Sequence, residues 1–290
     1  MLEAPEPSEI PVLIAVPHAG RAYPPCLIDR MRNPGFAALR LEDRCVDLVA
    51  RDVARATGAA LLVAHAPRAM IDLNRAPEDV DWDMFNRGGG RPVGSYTPGL
   101  RARAGLGVIP RRIPGLGELW KRRHDHAELE ARLAGIHVPY HEQLAATLGG
   151  LRSRWGAALL IDLHSMPPLA PVNGRTAAEF VIGDRFGASC DGRLVAHSFA
   201  HLAESNRLSA HNRPYAGGYV LDRHAAPRLG VHAMQIEVDR ASYLDQRLAE
   251  PGAGLPDVTA LLAGLVRRLA AEVVDLVRLD SSSDWPEAAE

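Results

Sequence analysis

AALLIDLHSM (157–166) is the stretch that decides the fold. Five apolar residues, Ala157 to Ile161, run without interruption, and Asp162 and His164 stand at the end. A run this short and apolar reads as a buried strand of a parallel sheet that delivers its polar residues at its carboxyl end. PVLIAVPH (11–18) has the same form upstream and ends on His18, and VHAMQIEVDR (231–240) is read as a further strand that ends near Glu237. EFVIGD (179–184), AALLVAHA (59–66) and AMIDLN (69–74) are read as further strands, the last ending in Asn74 and Arg75.

Helical patterns lie between these runs. LEDRCVDLVARDVARATG (41–58) places Val46, Val49, Ala50 and Val53 on one stripe and closes on Gly58. Residues 118–156 are helical by pattern and bent or interrupted near Pro139. CDGRLVAHSFAHLAESN (190–206) is amphipathic, and a helix over 258–280 closes the fold before a polar tail, 281–290. Strands alternate with helices, and there is no internal repeat and no linker. The expectation is a single α/β domain over 1–290, with a mixed, largely parallel sheet flanked by helices. Within it, residues 85–117 are rich in Gly, Pro and Arg and keep no period, which reads as an active-site loop segment or pocket wall.

Composition narrows the function classes. The 290 residues carry 33 Lys+Arg against 35 Asp+Glu, a net charge of -2, so bulk attraction to a polyanion is not expected. The arginines at 87, 91, 101, 103, 111 and 112 make the best case for nucleic acid, but Tyr96 is their one interleaved aromatic, and a loop over a small anionic substrate explains them equally. No run approaches the about 20 apolar residues of a membrane helix. The opening MLEAPEPSEI lacks the basic and apolar parts of a signal peptide, so a cytoplasmic location is expected, with no nucleic acid and no membrane partner. Cys26, Cys45 and Cys190 are far apart and form no CxxC pair, which suggests neither a disulfide framework nor a thiolate zinc site.

Open α/β sheets bind ligands beyond the carboxyl ends of their strands. Here those ends carry His18, Asn74 with Arg75, His164 and Glu237. Two imidazoles and a carboxylate are a common ligand set for hydrolytic zinc, which lowers the pKa of a water in the fourth position to about 7.

The segments VPHAGRAYP (16–24), LEDRCVDLVA (41–50), PRAMIDLNR (67–75), LIDLHSM (160–166), NRPYAGGY (212–219) and MQIEVDRASY (234–243) together resemble the N-formylglutamate amidohydrolases, relatives of the zinc carboxypeptidases and aspartoacylases. They run in family order from about Val12 to Tyr243. The resemblance implies a zinc-carboxypeptidase-like (phosphorylase/hydrolase-like) α/β fold and one Zn2+ per chain. It implies hydrolysis of N-formyl-L-glutamate, or a close N-acyl amino acid, to formate and L-glutamate, with zinc-bound water as nucleophile.

His18 and His164 are then zinc ligands. Arg21 stands where carboxypeptidases carry the Glu of an HxxE pair, so the third ligand is expected from the next acidic pair, Asp43 with Glu42 as fallback; both also suit the first turn of a helix. Glu237 is the expected general base and acid, unless β alternation with Gln235 and Asp239 turns it to solvent at an edge. Arg75 is matched to a substrate carboxylate or the oxyanion, with Arg68 a second oxyanion candidate. Asn74 adds an amide donor, and Asp72 is read as structural, orienting neighbouring donors. Arg213 is expected to complete the anion site, with Tyr215 and the Gly217 and Gly218 backbone close to the ligand; the alternative is that this segment is only a turn. The other histidines, including the 197/201 pair that lacks an HExxH Glu, are assigned to the surface or the core. Another N-acyl amino acid or peptide fragment as substrate, and a catalytically silent module binding acidic metabolites, are the competing functions. Oligomeric state is not legible.

Overall fold

The computed structural model describes residues 8–86, 99–171 and 176–282. In chain order these form β1 (Val12–Val16), α1 (Pro25–Ile28), α2 (Pro34–Leu41), α3 (Val46–Thr57), β2 (Ala60–Val63), α4 (Leu100–Arg103), β3 (Arg112–Ile113) and β4 (Gly117–Glu118). They continue with α5 (His126–Arg132), α6 (Val138–Trp155), β5 (Ala158–Met166), β6 (Phe180–Gly183), α7 (Gly192–Glu204), β7 (Ser209–His211), α8 (Tyr219–His224), β8 (Val231–Asp239) and α9 (Leu255–Ser282).

Six strands pair in the order β2-β1-β5-β8-β6-β7. All neighbours are parallel except β6 and β8, so a single α/β domain with a mostly parallel sheet stands as expected from the alternation of elements.

The period of two along each strand builds a different core on each face. Val12, Ile14 and Val16, Leu159, Ile161 and Leu163, and Met234, Ile236 and Val238 belong to one cluster with residues of α3, α7 and α9. Leu13 and Ala15, Ala158 and Leu160, and Ala233 belong to the other, with Leu144, Leu148 and Leu151 of α6. Each such Val, Leu or Ile contributes roughly 1.5–3 kcal/mol by its removal from water. Continued by two residues, the second face carries Asp162 and His164 on β5 and Gln235 and Glu237 on β8. Register sets them side by side, Asp162 opposite Gln235 and His164 opposite Glu237.

Several elements depart from the expectation. The pattern over 41–58 is two helices, since α2 ends at Leu41 and Glu42 has an extended ψ of 141°. Asp43 therefore lies in a connection ahead of α3 and not in the first turn of a helix. Gly58 does end α3, at a φ of 72°.

AMIDLN is not a strand. Ala69, Ile71 and Leu73 are buried, which produced the alternation, but the Asp72 side chain accepts the Asn74 N–H at 2.9 Å, a local bond that competes with a ladder. Residues 118–125 are not helical either; α5 starts at His126 behind the capping box of Asp125 and Glu128. The interruption near Pro139 is a π-helical turn, Leu133–His137, where a proline without an N–H disturbs the i to i-4 ladder. Within 85–117, residues 99–117 form α4 and the β3–β4 hairpin, and 87–98 lie outside the described residues, as does the tail beyond 282.

Candidate metal centre and anion cavity

His18 follows the end of β1 by two residues, and the Asp43 N–H donates to the His18 carbonyl at 2.9 Å, which draws the α2–α3 connection against the sheet. His164 comes from β5. Donor atoms of His18, Asp43 and His164 all lie within 4.8 Å of one another, and the three residues are buried. Asp43 Oδ2 is 2.8 Å from His164 Nδ1 and 3.7 Å from His18 Nδ1. His18 Nδ1 is buried without a hydrogen-bond partner among the described residues.

The far nitrogen of each ring is held by a second carboxylate: His18 Nε2 by Asp72 Oδ1 and His164 Nε2 by Asp162 Oδ2, both at 2.8 Å. Imidazoles that ligate a metal are oriented in this way, so the donor set fits a divalent ion such as zinc.

The electrostatics agree with that fit. Burial opposes a charge on His164, yet Asp162 and Asp43 hold its pKa well above the ordinary range. Burial likewise works against an ionised Asp43, but the hydrogen bond from His164 and the nearby His18 ring keep it well below the usual carboxylate value. The carboxylates thus favour positive charge at the centre of the group, which a divalent cation also supplies. Glu42, the fallback ligand, is buried but turned to Arg44 at 2.9 Å and is not one of the clustered donors. Arg240 donates to the Glu42 carbonyl and lies 3.5 Å from Asp43 Oδ1, so the two oxygens of Asp43 face different partners.

Glu237 is 7% exposed on β8, between β5 and β6, which excludes the solvent-facing edge alternative. Hydrogen-bond direction orients it. The Val220 N–H donates to Asn74 Oδ1 at 2.9 Å, which turns the Asn74 amide nitrogen to Gln235 Oε1 at 3.3 Å. Gln235 Nε2 is thereby left to donate to Glu237 Oε1 at 2.9 Å. Burial, opposed by the charge of His164 and reinforced by that of Asp43, pushes the Glu237 carboxyl up to about 7.

These groups floor a cavity of about 370 Å³ whose lining includes five arginines: Arg40, Arg68, Arg75, Arg101 and Arg240. Arg68 is held by Asp72 at 2.9 Å, the carboxylate that also holds His18. Arg75 donates to the carbonyls of Leu106 and Asn74, at 3.0 and 2.7 Å, and pairs with no carboxylate among the described residues.

Tyr215, Gly217 and Gly218 line the cavity. A Cβ on Gly218 would stand 2.6 Å from Asn74 Oδ1, so glycine permits the close approach. Arg213 is a correction: it is exposed and absent from the lining, because the chain turns inward only from Pro214 onward.

Among the remaining histidines, His137 Nε2 donates to the Arg75 carbonyl at 2.9 Å and His141 Nε2 to the Leu73 carbonyl at 3.1 Å, bracing the turn that carries Asn74 and Arg75. His201 donates to the Leu261 carbonyl and His197 faces Glu272, so the pair shares no site. The sequence reading gave Asp162, Gln235 and Arg240 no role, although each lies in a quoted segment. The i, i+2 spacing of Asp162 with His164, and of Gln235 with Glu237, was the available signal.

An α/β sheet with a buried two-histidine, one-carboxylate group at its strand ends, under an arginine-lined cavity, has the donor set of a hydrolase site that could hold a metal. The chain belongs to the N-formylglutamate amidohydrolase family, whose profile matches residues 10–244. It is 29% identical over 264 residues to an N-formylglutamate deformylase of Pseudomonas aeruginosa, covering 90% of this chain and 91% of that one. Identity to the N-formylglutamate deformylase of Pseudomonas putida is 30% over 240 residues, 82% and 83% of the two chains. The crystal structure of N-formylglutamate amidohydrolase from Ralstonia eutropha JMP134 superposes with a TM-score of 0.83 at 30% identity, covering 94% of this chain and 97% of that one.

Proposed function

We propose that this protein is a zinc-dependent, cytoplasmic enzyme that hydrolyses N-formyl-L-glutamate to formate and L-glutamate, a reaction of amino-acid degradation that suits histidine catabolism. The observation that carries the reading is the His18–Asp43–His164 group beside Glu237 at the floor of a cavity lined by five arginines. It is supported in kind by the deformylase activity for which the Pseudomonas relatives are named. His18, Asp43 and His164 would hold the zinc, which when bound would supply Lewis acidity and lower the pKa of water toward neutral.

The chain's own residues do the rest. Arg75 and Asn74 take a substrate carboxylate, the guanidinium by paired N–H donors. Arg68, fixed by Asp72 next to the metal ligands, faces the scissile carbonyl and stabilises the oxyanion. Glu237 Oε1 is occupied by the Gln235 amide, so Oε2 accepts the proton of the attacking water and delivers it to the departing nitrogen as the C–N bond breaks. A carboxyl with a pKa near 7 suits both transfers.

The test is formate release from N-formyl-L-glutamate by purified protein, before and after chelation and with zinc restored. Release that vanishes with the chelator and returns with zinc supports the reading. No release with zinc bound rejects the substrate and leaves other N-acyl amino acids or a binding role.

A further inference from the structure

The five cavity arginines are not equivalent. Arg68 is neutralised by Asp72, and Arg240 is consumed by Ser165 Oγ, the Leu39 and Glu42 carbonyls and Asp43. Arg40 lies over the Phe36 ring at 5.3 Å. Arg75 and Arg101 remain, and neither pairs with a carboxylate among the described residues.

They are built into one framework. The Arg75 Nε–H donates to the Leu106 carbonyl at 3.0 Å, and the Leu106 N–H donates to the Arg101 carbonyl at 2.8 Å. The turn that carries Arg101 is pinned to the Asn74–Arg75 region by three further bonds. Asp72 N–H donates to the Val108 carbonyl at 2.7 Å, Val108 N–H to the Asp79 carbonyl at 2.8 Å, and Gly99 N–H to Asp79 Oδ1 at 2.9 Å. Arg101 is exposed, yet its backbone is a fixed wall of the cavity. The two guanidinia are also near enough for the charge of Arg101 to disfavour that of Arg75, whose proton affinity falls through burial first and like charge after it.

Arg75 and Arg101, without acid partners among the described residues, are carried on one hydrogen-bonded backbone frame and line one cavity, which calls for two negative charges on the ligand. We infer that Arg101 is the specificity-determining residue of the cavity: it takes the side-chain carboxylate of the substrate while Arg75 and Asn74 take the α-carboxylate. The inference rests on the proposed function and deepens it, because it names the feature of the substrate that is selected. N-formyl-L-glutamine, with the same shape and no side-chain charge, is the discriminating comparison.

The experiment measures kcat and KM for N-formyl-L-glutamate and N-formyl-L-glutamine with zinc-loaded wild type, Arg101→Met, Arg101→Lys and Arg40→Met. A charge-assisted contact of this kind changes affinity by roughly 10- to 100-fold. Arg101→Met is expected to lose about that factor in kcat/KM on the glutamate substrate, mainly through KM. It should change the glutamine substrate by less than about 3-fold, with Arg101→Lys restoring part of the loss. Arg40→Met should leave the ratio between substrates unchanged.

An unchanged ratio in Arg101→Met, an equal loss on both substrates, or a collapse in Arg40→Met alone would each overturn the assignment. Calorimetric binding of glutarate, which keeps both carboxylates of glutamate and no amide, reads the charge selection without turnover. Glutarate bound tightly by wild type and at least 10-fold more weakly by Arg101→Met upholds Arg101 even if formylglutamate is not hydrolysed, whereas equal binding overturns it.

Discussion

Glu237 meets two opposed requirements at one position. Its burial raises the carboxyl to about 7, which disfavours the ionised form that folding at neutral pH must accommodate, and the same shift suits it for proton transfer. Glu237→Gln keeps the acceptor for Gln235 and removes the proton shuttle. The expected result is a kcat lowered by roughly 10²–10⁴-fold with zinc content unchanged, measured by formate release and metal analysis. Full turnover in the zinc-loaded variant would remove Glu237 from the mechanism. The carboxylates behind the histidines orient the metal ligands, and Asp72 also holds Arg68 and the Asn74 N–H. Asp72→Asn and Asp162→Asn should each weaken zinc affinity by about 10- to 100-fold, read by competition with a fluorescent chelator. An unchanged affinity would make those contacts incidental to metal binding. Both aspartates are visible in the sequence as Asp-x-His and Asp-x-Asn, but which histidine each one holds is not local, since His18 and Asp72 are 54 positions apart.

At the scale of elements, the N-terminus of α8 and the Asn74 turn form one joint. Val220 N–H fixes the Asn74 amide, and Gly218 leaves room for it. Gly218→Ala is expected to push the Asn74 side chain aside, with kcat/KM falling about 10-fold or more and stability by about 1–3 kcal/mol, checked by kinetics and denaturant titration. Wild-type kinetics in that variant would show that Asn74 tolerates displacement. Buried strands were legible because five or more apolar residues in a short run have few alternatives, as in β1 and β5. The turn over 69–74 was not, since Ala69, Ile71 and Leu73 alternate as a strand would while the Asp72 side chain bonds locally to Asn74. The α2–α3 junction was missed for a related reason. Leu41 and Val46 both belong to helices, and only the extended backbone at Glu42 separates them.

For the whole molecule, the titrating groups of the site make stability depend on pH with a definite sign. Glu237 binds its proton more tightly in the folded protein, so its favourable contribution is complete below about 4.5 and is lost as pH rises through about 7. Asp43 and Asp72 have depressed values, so theirs is present above the ordinary carboxylate pKa and lost in acid. Thermal unfolding of metal-free protein should therefore show Glu237→Gln matching wild type near pH 4.5 and exceeding it by about 5 °C at pH 8. Parallel curves would contradict the raised value. The sequence by itself determined the α/β class and the apolar runs that end near His18, His164 and Glu237, because short apolar runs are local properties of the chain. Only the tertiary structure decided that Asp43 stands in a connection beside His18, that Arg213 points away while Arg40, Arg101 and Arg240 reach the cavity, and that Gln235 orients Glu237. Those placements depend on how connections fold back over the sheet, and long-range hydrogen bonds hold them in position, which no local pattern encodes.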